Sequence, residues 1–219
     1  MARRPSSSDR TLALATANRA KARELRALLG GIPYRVLDLT DFPSLTLPPE
    51  GTQSYADNAV LKARAVAAAT RMLALADDSG IEVDALGGRP GVLSARYGGE
   101  GLSDEDRAVE MLRELRDVPP ERRTARYRCV VALCAPEGRA VTTEGVVEGI
   151  LLDEPRGNGG FGYDPIFYYP ALGATFAELA PEAKHAVSHR GQAMAQARRI
   201  LLEWGAEEPA SGRDERTPS

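Results

Sequence analysis

Two adjacent acids, Asp77 and Asp78, follow an apolar segment from Met72 to Ala76 that predicts a buried strand. They stand just before Ser79-Gly80, and ligands of an α/β sheet usually bind where its strands end. Neighbouring side chains of a strand point to opposite faces, so only one of the two acids can reach a given metal ion, and the other orients the loop. The alternative interpretation is an acidic turn that merely stops the strand.

Further carboxylates lie in the same half of the chain, at Glu50, Asp57 and Asp84. Hard oxygen ligands of this kind suit a magnesium ion that also contacts a substrate phosphate. The two histidines have no cysteine beside them, and no C-x-x-C pair is present, so structural zinc is not expected.

A hydroxyl, an amide and an ammonium group surround the first predicted strand-to-helix junction, at Thr16, Asn18 and Lys21. The unpaired N–H groups and the dipole at a helix amino end favour a bound phosphate. In the alternative interpretation, Asn18 is a simple helix cap and Lys21 a solvated surface residue. The segment matches neither a Walker A loop nor a G-x-G-x-x-G turn.

Glycines, two aromatic rings and an acid are concentrated in the segment Gly159 to Pro165. Glycine lets backbone approach a flat ligand while an aromatic ring stacks on it, so a base pocket is one interpretation. A glycine-rich turn with core aromatics is the other.

A second polar cluster begins at Lys184 and contains two histidines four residues apart, His185 and His189. Ser188 is expected to cap the last helix, which places His185 before it and His189 and Arg190 in its first turn. Cations are unfavourable there unless an acceptor or an anion meets them, which argues for ligand contact. A basic surface cluster is the alternative.

The order of elements predicts an α/β fold with a mixed sheet flanked by helices. A Pro-rich exposed loop covers residues 43–51, and the turn at residues 135–138 predicts an antiparallel hairpin. Capping patterns that begin with Ser54 and with Ser103 predict the amino ends of two helices. Strands are predicted at residues 11–15, 34–39, 72–76 and twice within 124–152, and helices at 20–29, 54–71, 103–115 and 188–204.

Composition limits the partners and the location. The chain has 219 residues with a formal net charge of -3, so no general basic field would hold a nucleic acid polymer. No apolar segment is long enough to span a bilayer and no secretory signal is present, so a cytoplasmic protein is expected. Cys129 and Cys134 should be reduced core thiols on opposite faces of a strand. We expect one domain at 11–204 between disordered tails at 1–10 and 205–219.

Six segments in this order resemble the inosine triphosphate pyrophosphatase family, which acts on non-canonical purine nucleotides. The likeness runs from about Thr11 to Leu202. Two positions depart from the family pattern, because E-N-A is here Asp57-Asn58-Ala59 and E-x-G is here Glu50-Gly51-Thr52. The segments are T-A-N-x-x-K, D-N-A-x-x-K-A, A-D-D-S-G-I-E-V-D-A-L-G-G-R-P-G, S-A-R-Y, G-G-F-G-Y-D-P-I-F and K-H-A-V-S-H-R-G-Q-A.

The resemblance implies an elongated mixed sheet with two lobes and a substrate cleft between them, and usually a homodimer. It implies hydrolysis of ITP, dITP or XTP to the monophosphate and pyrophosphate with Mg²⁺. Asp78 would be the proton acceptor and a metal ligand, with Glu50 as the second metal carboxylate. The residues implied in substrate binding are Thr16, Ala17, Asn18, Arg19, Ala20, Lys21, Lys62, Ser79, Phe161, Gly162, Tyr163, Asp164, Lys184, His189 and Arg190.

Within this mechanism, Lys21, Lys62 and Lys184 would offset phosphate charge while Asp78 aligns or deprotonates the attacking water. We hypothesise that His189 and Arg190 recognise the 6-oxo group of the base, with Phe161 or Tyr163 stacking on it. Two other functions remain open from the residues alone. One is a nucleotide-binding or sensor protein without turnover, and the other is a pyrophosphatase for other modified nucleoside triphosphates.

Overall fold

The computed structural model describes residues 10–207. The predicted tails, apart from residues 10 and 205–207, lie outside this range. Within it, seven strands and five helices alternate with short 3-10 turns. The strands are β1 (Thr11–Leu14), β2 (Arg35–Leu37), β3 (Leu73–Val83), β4 (Thr124–Cys134), β5 (Ala140–Leu151), β6 (Phe167–Tyr169) and β7 (Ala174–Thr175). The helices are α1 (Arg19–Leu28), α2 (Tyr55–Thr70), α3 (Asp104–Glu114), α4 (Pro181–Val187) and α5 (His189–Glu207).

The strands form one mixed sheet in the order β2-β1-β3-β4-β5-β6-β7. β1 is parallel to both β2 and β3, whereas every later pair is antiparallel. The predicted hairpin is confirmed, with β4 and β5 paired along their whole length from Thr124↔Ile150 to Cys134↔Ala140. The expected mixed sheet flanked by helices is therefore present.

The long strands β3, β4 and β5 connect two ends of the molecule with separate cores. At the β1 end, one core lies between the sheet and helices α1 and α5, and another lies under α2. At the β6 end, aromatic and aliphatic side chains pack between the sheet and α3, among them Phe167, Phe176 and Met111. The two lobes implied by the resemblance correspond to these ends.

The structure corrects the predicted end of the third strand. β3 does not stop at Asp77 but continues to Val83, and Asp77 and Asp78 pair with Val131 and Val130 of β4. The strand can continue because charged side chains on both faces of the sheet meet the two acids, as described below. Gly80 allows a close approach here, since a Cβ at this position would lie 2.1 Å from the carbonyl oxygen of Gly91.

Two helix boundaries also differ from the prediction. His185 does not precede a single last helix but lies in the separate helix α4, which begins with Pro181 at its first turn. Ser188 directly precedes α5 and caps it as predicted, because its hydroxyl accepts a hydrogen bond from the Gly191 N–H at 3.1 Å. α5 ends at Glu207, three residues beyond the predicted end at Trp204.

The remaining sequence expectations concern the cysteines and the membrane. Cys129 packs in the core near α5 and Cys134 in the core under α2, so the two free thiols lie on opposite faces of β4 as predicted. Across residues 10–207, no helix has both the length and the apolar content that a bilayer crossing requires.

Candidate active site

A cavity of about 390 Å³ lies between the two ends of the sheet. Fifteen of the predicted site residues line it, but Arg19 and Ala20 do not. The cavity wall consists of Thr16, Ala17, Asn18, Lys21, Leu47, Pro48, Glu50, Lys62, Asp78, Ser79, Gly80, Val92, Ser94, Ala95, Asp104, Arg107, Tyr127, Phe161, Gly162, Tyr163, Asp164, Lys184, His189 and Arg190.

One end of the cavity is built around Asp78 on β3. Its Oδ2 accepts a hydrogen bond from the Asn58 amide at 2.9 Å, and its Oδ1 lies 3.7 Å from Lys62 Nζ. Lys62 Nζ also donates to Glu50 Oε1 at 2.5 Å and to the Asp77 carbonyl at 2.7 Å. Burial raises the pKa of Asp78, because Lys62 and Asn58 offset only part of the cost of removing the carboxylate from water. This environment makes Asp78 a better proton acceptor than a solvated aspartate.

Asp77 points to the other face of the sheet and is fully buried. Its Oδ2 accepts hydrogen bonds from Arg190 Nε at 3.2 Å and Nη2 at 3.1 Å, and Lys21 Nζ lies 3.3 Å away. Burial alone would raise the pKa of Asp77, but Lys21, Arg190 and Lys62 outweigh it and hold the pKa well below its usual range. Asp77 therefore stays ionised and fixes the cations beside it, so the two acids of the pair have different environments.

The charged contacts continue from Arg190 towards the glycine-rich segment. Glu24 on α1 accepts from Arg190 Nη1 and from Lys184 Nζ, each at 2.7 Å. Lys184 Nζ also donates to Asp164 Oδ2 at 2.6 Å, and the same oxygen accepts the Phe161 N–H at 2.8 Å. Buried charges need such partners, because an unpaired one is costly. This chain of contacts connects α1, α5 and the aromatic end of the cavity.

Aromatic rings line another part of the cavity, its aromatic end. Lys184 Nζ and the Arg190 guanidinium lie 5.0 Å and 5.4 Å from the centre of the Phe161 ring, within cation–π range. His189 stacks on Tyr127 with ring centroids 4.5 Å apart. Tyr163 is buried, and its hydroxyl donates to the Ser94 carbonyl at 2.8 Å. Phe161 thus has the more accessible ring of the two candidates for stacking on a base.

His189 is neutral, contrary to the expectation of a cation in the first turn of α5. Burial, together with the positive charges of Arg190 and Lys184, lowers its pKa well below its usual range. Arg190 remains charged in the same turn because Asp77 and Glu24 supply the acceptors that the helix position requires.

At the start of α1, Asn18 acts as a helix cap. Its Oδ1 accepts from the Ala20 N–H at 2.9 Å and the Lys21 N–H at 3.1 Å. The two predicted residues Arg19 and Ala20 are absent from the cavity wall. The interpretation of Asn18 as a cap is therefore confirmed, and Lys21 lies in the cavity wall, where its contact with a phosphate stays a prediction.

The charge balance of the network of ion pairs at this site favours an anionic ligand that binds together with a cation. Counted as ionised, four cationic side chains face five carboxylates in this network, an excess of one negative charge; they are Lys21, Lys62, Lys184, Arg190, Glu24, Glu50, Asp77, Asp78 and Asp164. No group of three or more His, Cys, Asp or Glu side chains in the described part of the chain forms a complete metal cage. Two carboxylates beside a substrate phosphate fit Mg²⁺, which keeps several water ligands.

Two of the acids noted in the sequence are not part of the cavity wall. Asp84 binds Arg126 at 2.8 Å and the Thr124 hydroxyl at 2.6 Å on the surface of the sheet. Asp57 lies in the first turn of α2, where its N–H donates to the Ser54 hydroxyl at 3.1 Å. Conversely, the sequence interpretation missed Glu24 and the role of Asn58, although Asn58 lay within a quoted motif.

A mixed sheet with a cleft lined by paired charges and by aromatic rings defines an α/β protein suited to an anionic ligand with a flat ring. The sequence model of the Ham1 family matches residues 12–200, so the chain belongs to the Ham1 family. This match confirms the resemblance that the motifs showed.

Named relatives support the same assignment. The dITP/XTP pyrophosphatase of Geobacter sulfurreducens is 52% identical over 184 residues, which cover 84% of this chain and 92% of the relative. The solved Ham1 protein of Coxiella burnetii is 39% identical with a TM-score of 0.80, covering 89% of this chain and 99% of that one. The dITP/XTP pyrophosphatase structure from Mycobacterium abscessus is 44% identical with a TM-score of 0.69, covering 85% of this chain and 98% of that one.

Proposed function

We propose that this protein hydrolyses non-canonical purine nucleoside triphosphates, namely ITP, dITP and XTP, to the monophosphate and pyrophosphate. The observation that carries the proposal is that Asp78, Lys62 and Glu50 line the same cavity as Phe161. A triphosphate beside the charged group and a base beside Phe161 would both lie within it. Relatives about half identical to this chain are named dITP/XTP pyrophosphatase.

We assign the divalent ion to Asp78 and Glu50. Asp78 Oδ1 makes no hydrogen bond within residues 10–207 and lies beyond hydrogen-bond distance of Lys62 Nζ, so it is available to a cation. Magnesium would neutralise charge on the triphosphate when bound, which makes the phosphorus easier to attack. The exposed Asp57 has no part in this assignment.

In the proposed reaction, Asp78 accepts a proton from the water that attacks the α-phosphorus, and pyrophosphate leaves. Asn58 orients the carboxylate through its hydrogen bond to Oδ2. Lys21 and Lys62 supply positive charge where negative charge develops on the phosphates. Lys184 contacts the aromatic end instead, so we assign it to holding Asp164 and the base segment.

Selectivity is assigned to the aromatic end, with Phe161 stacking on the base. Adenine carries a donor where hypoxanthine carries an acceptor, so buried donors matched to the 6-oxo group would be left unpaired by adenine. Neutral His189 and charged Arg190 are the candidates for those donors. Most Arg190 donors are already bonded to Asp77, Glu24 and Ser79, which holds the guanidinium rigidly at this end.

We further propose that the protein is a cytoplasmic homodimer that acts on free nucleotides and not on nucleic acid polymers, as the resemblance and the net negative charge suggest. Sedimentation analysis of the purified chain tests the dimer, and a monomer at micromolar concentration would contradict it.

The reaction can be tested by hydrolysing ITP in ¹⁸O-labelled water with magnesium. Attack at the α-phosphorus puts one ¹⁸O atom into inosine monophosphate and none into pyrophosphate, which mass spectrometry of both products measures. Label in pyrophosphate, or release of inorganic phosphate, would instead mean attack at another phosphorus. Tight ITP binding without any product would support the non-catalytic sensor, the alternative that the residues left open.

A further inference from the structure

The glycine-rich segment that carries Phe161 depends on contacts from outside itself. Gly157, Gly160 and Gly162 have positive φ values of 83°, 70° and 65°, a region that glycine enters without strain. Such a backbone is permissive, so other groups must fix it. One tie from outside joins the Gly159 N–H to the Ala177 carbonyl at 2.9 Å. A second acts through Asp164, whose Oδ2 accepts the Phe161 N–H at 2.8 Å and is held from outside by Lys184 Nζ at 2.6 Å.

A third tie comes from α3, where Asp104 Oδ2 accepts the Gly162 N–H at 2.8 Å. Asp104 is the first residue of this helix, directly after the cap Ser103. The helix dipole favours a negative charge at this position. Asp104 is exposed and lines the cavity beside Gly162, and neither the motifs nor the proposed mechanism uses it.

The start of α3 is itself held in place. Arg107, one turn further, is buried and donates to the carbonyl oxygens of Tyr97 at 2.6 Å, Gly99 at 2.8 Å and Leu102 at 3.1 Å. Ser103 and Asp106 form a reciprocal capping box at the same helix end. The Asp104 carboxylate is therefore presented from a fixed position, whereas the segment that it binds is permissive.

We propose that Asp104 is a positioning residue for the base, acting through the Gly162 amide. The Gly162 amide immediately follows Phe161, whose ring has Lys184 and Arg190 beside it. Holding the amide fixes the ring so that it can stack on a purine. The inference rests on the proposed function, since it assigns the base to Phe161.

The test is Asp104→Ala, assayed with ITP and magnesium. Loss of one hydrogen bond should raise KM for ITP by about 3- to 10-fold, while kcat stays within about 2-fold because the residues at Asp78 are untouched. The dissociation constant of inosine monophosphate, measured by calorimetry, should rise by a similar factor. Inhibition by pyrophosphate, which lacks a base, should not change.

Two control variants separate positioning from charge and from helix stability. Asp104→Asn keeps an oxygen that accepts the Gly162 N–H, so its KM should stay near the wild-type value. Glu105→Ala removes an equivalent charge from the next residue of the same helix turn, and all constants should stay unchanged. The inference is overturned if Asp104→Ala leaves KM unchanged, if Asp104→Asn is equally impaired, or if Glu105→Ala reproduces the effect.

This outcome can be told apart from failure of the proposed function. If the wild-type chain releases no pyrophosphate from ITP, the proposed reaction fails, while the calorimetric comparison of inosine monophosphate with pyrophosphate still tests Asp104. If the wild-type chain is active and Asp104→Ala weakens pyrophosphate inhibition as much as base binding, the positioning role fails alone.

Discussion

Asp78→Asn is expected to reduce kcat for ITP by about 10²- to 10⁴-fold, the range in which a positioned general base contributes. The substitution keeps the shape of the side chain, and its amide oxygen can still meet the Asn58 amide. It removes the proton acceptor and one of the two proposed metal carboxylates. Steady-state pyrophosphate release with saturating magnesium measures the effect.

The matched control is Asp84→Asn, which removes a carboxylate directly after β3 that binds Arg126 on the sheet surface. It should keep kcat within about 2-fold, because surface ion pairs contribute little.

The two variants should also differ in thermal stability. Burial raises the folded-state pKa of Asp78, so its ionised form costs stability above the ordinary aspartate pKa. Asp78→Asn, measured in EDTA at neutral pH, should therefore unfold at an equal or higher temperature than wild type. A folded Asp78→Asn protein with near-normal turnover would remove Asp78 from the mechanism.

Asp77→Ala should have the largest effect on stability, lowering the free energy of unfolding by about 3 to 5 kcal/mol. The change leaves Lys21 and Arg190 without the buried carboxylate that both contact. Arg190 is itself only 2% exposed, so its charge would lose a partner in a largely desolvated position. Urea unfolding at neutral pH, followed by circular dichroism, measures the difference.

Asp84→Ala serves as the comparison for Asp77→Ala, and its free energy of unfolding should fall by less than about 1 kcal/mol.

The pH dependence of the free energy of unfolding provides a second signature. Because the folded-state pKa of Asp77 lies below its unfolded value, its stabilisation is present above the ordinary pKa of 3.8 and is lost as the pH falls further. Asp77→Ala should therefore lose less stability than wild type between neutral pH and acid. Equal losses for Asp77→Ala and Asp84→Ala would contradict the role of Asp77.

Several features were predictable from the sequence because they depend on local chemistry. The hairpin of β4 and β5 follows from β-branched residues around a Pro- and Gly-containing turn, and the caps Ser54 and Ser103 occur where hydroxyls precede amphipathic helices. The opposite faces of Asp77 and Asp78 follow from strand periodicity alone. The motif resemblance then indicated which segments would meet at the cavity.

Other features depend on contacts between segments that are distant in sequence. Glu24 is an acid within an ordinary helix, and nothing local shows that it meets Lys184 and Arg190, about 160 residues away. The continuation of β3 past Asp77 depends on partners from α1, α2 and α5. His189 has a basic neighbour on the chain, but only its burial shows that it is neutral. Such charge pairing cannot be derived from spacing in one sequence.

The central claim is that this cavity hydrolyses non-canonical purine triphosphates with a divalent ion. The most direct measurement is pyrophosphate release from ITP, XTP, dITP, ATP and GTP, with magnesium and again with EDTA. We predict strong magnesium-dependent release from the inosine and xanthosine nucleotides and little from ATP, with GTP showing whether the site also discriminates at the 2-position of the base. Equal release from ATP and ITP would contradict the proposed base selectivity, and release that persists in EDTA would contradict the metal assignment. No release from any of the five by folded protein would contradict the function itself.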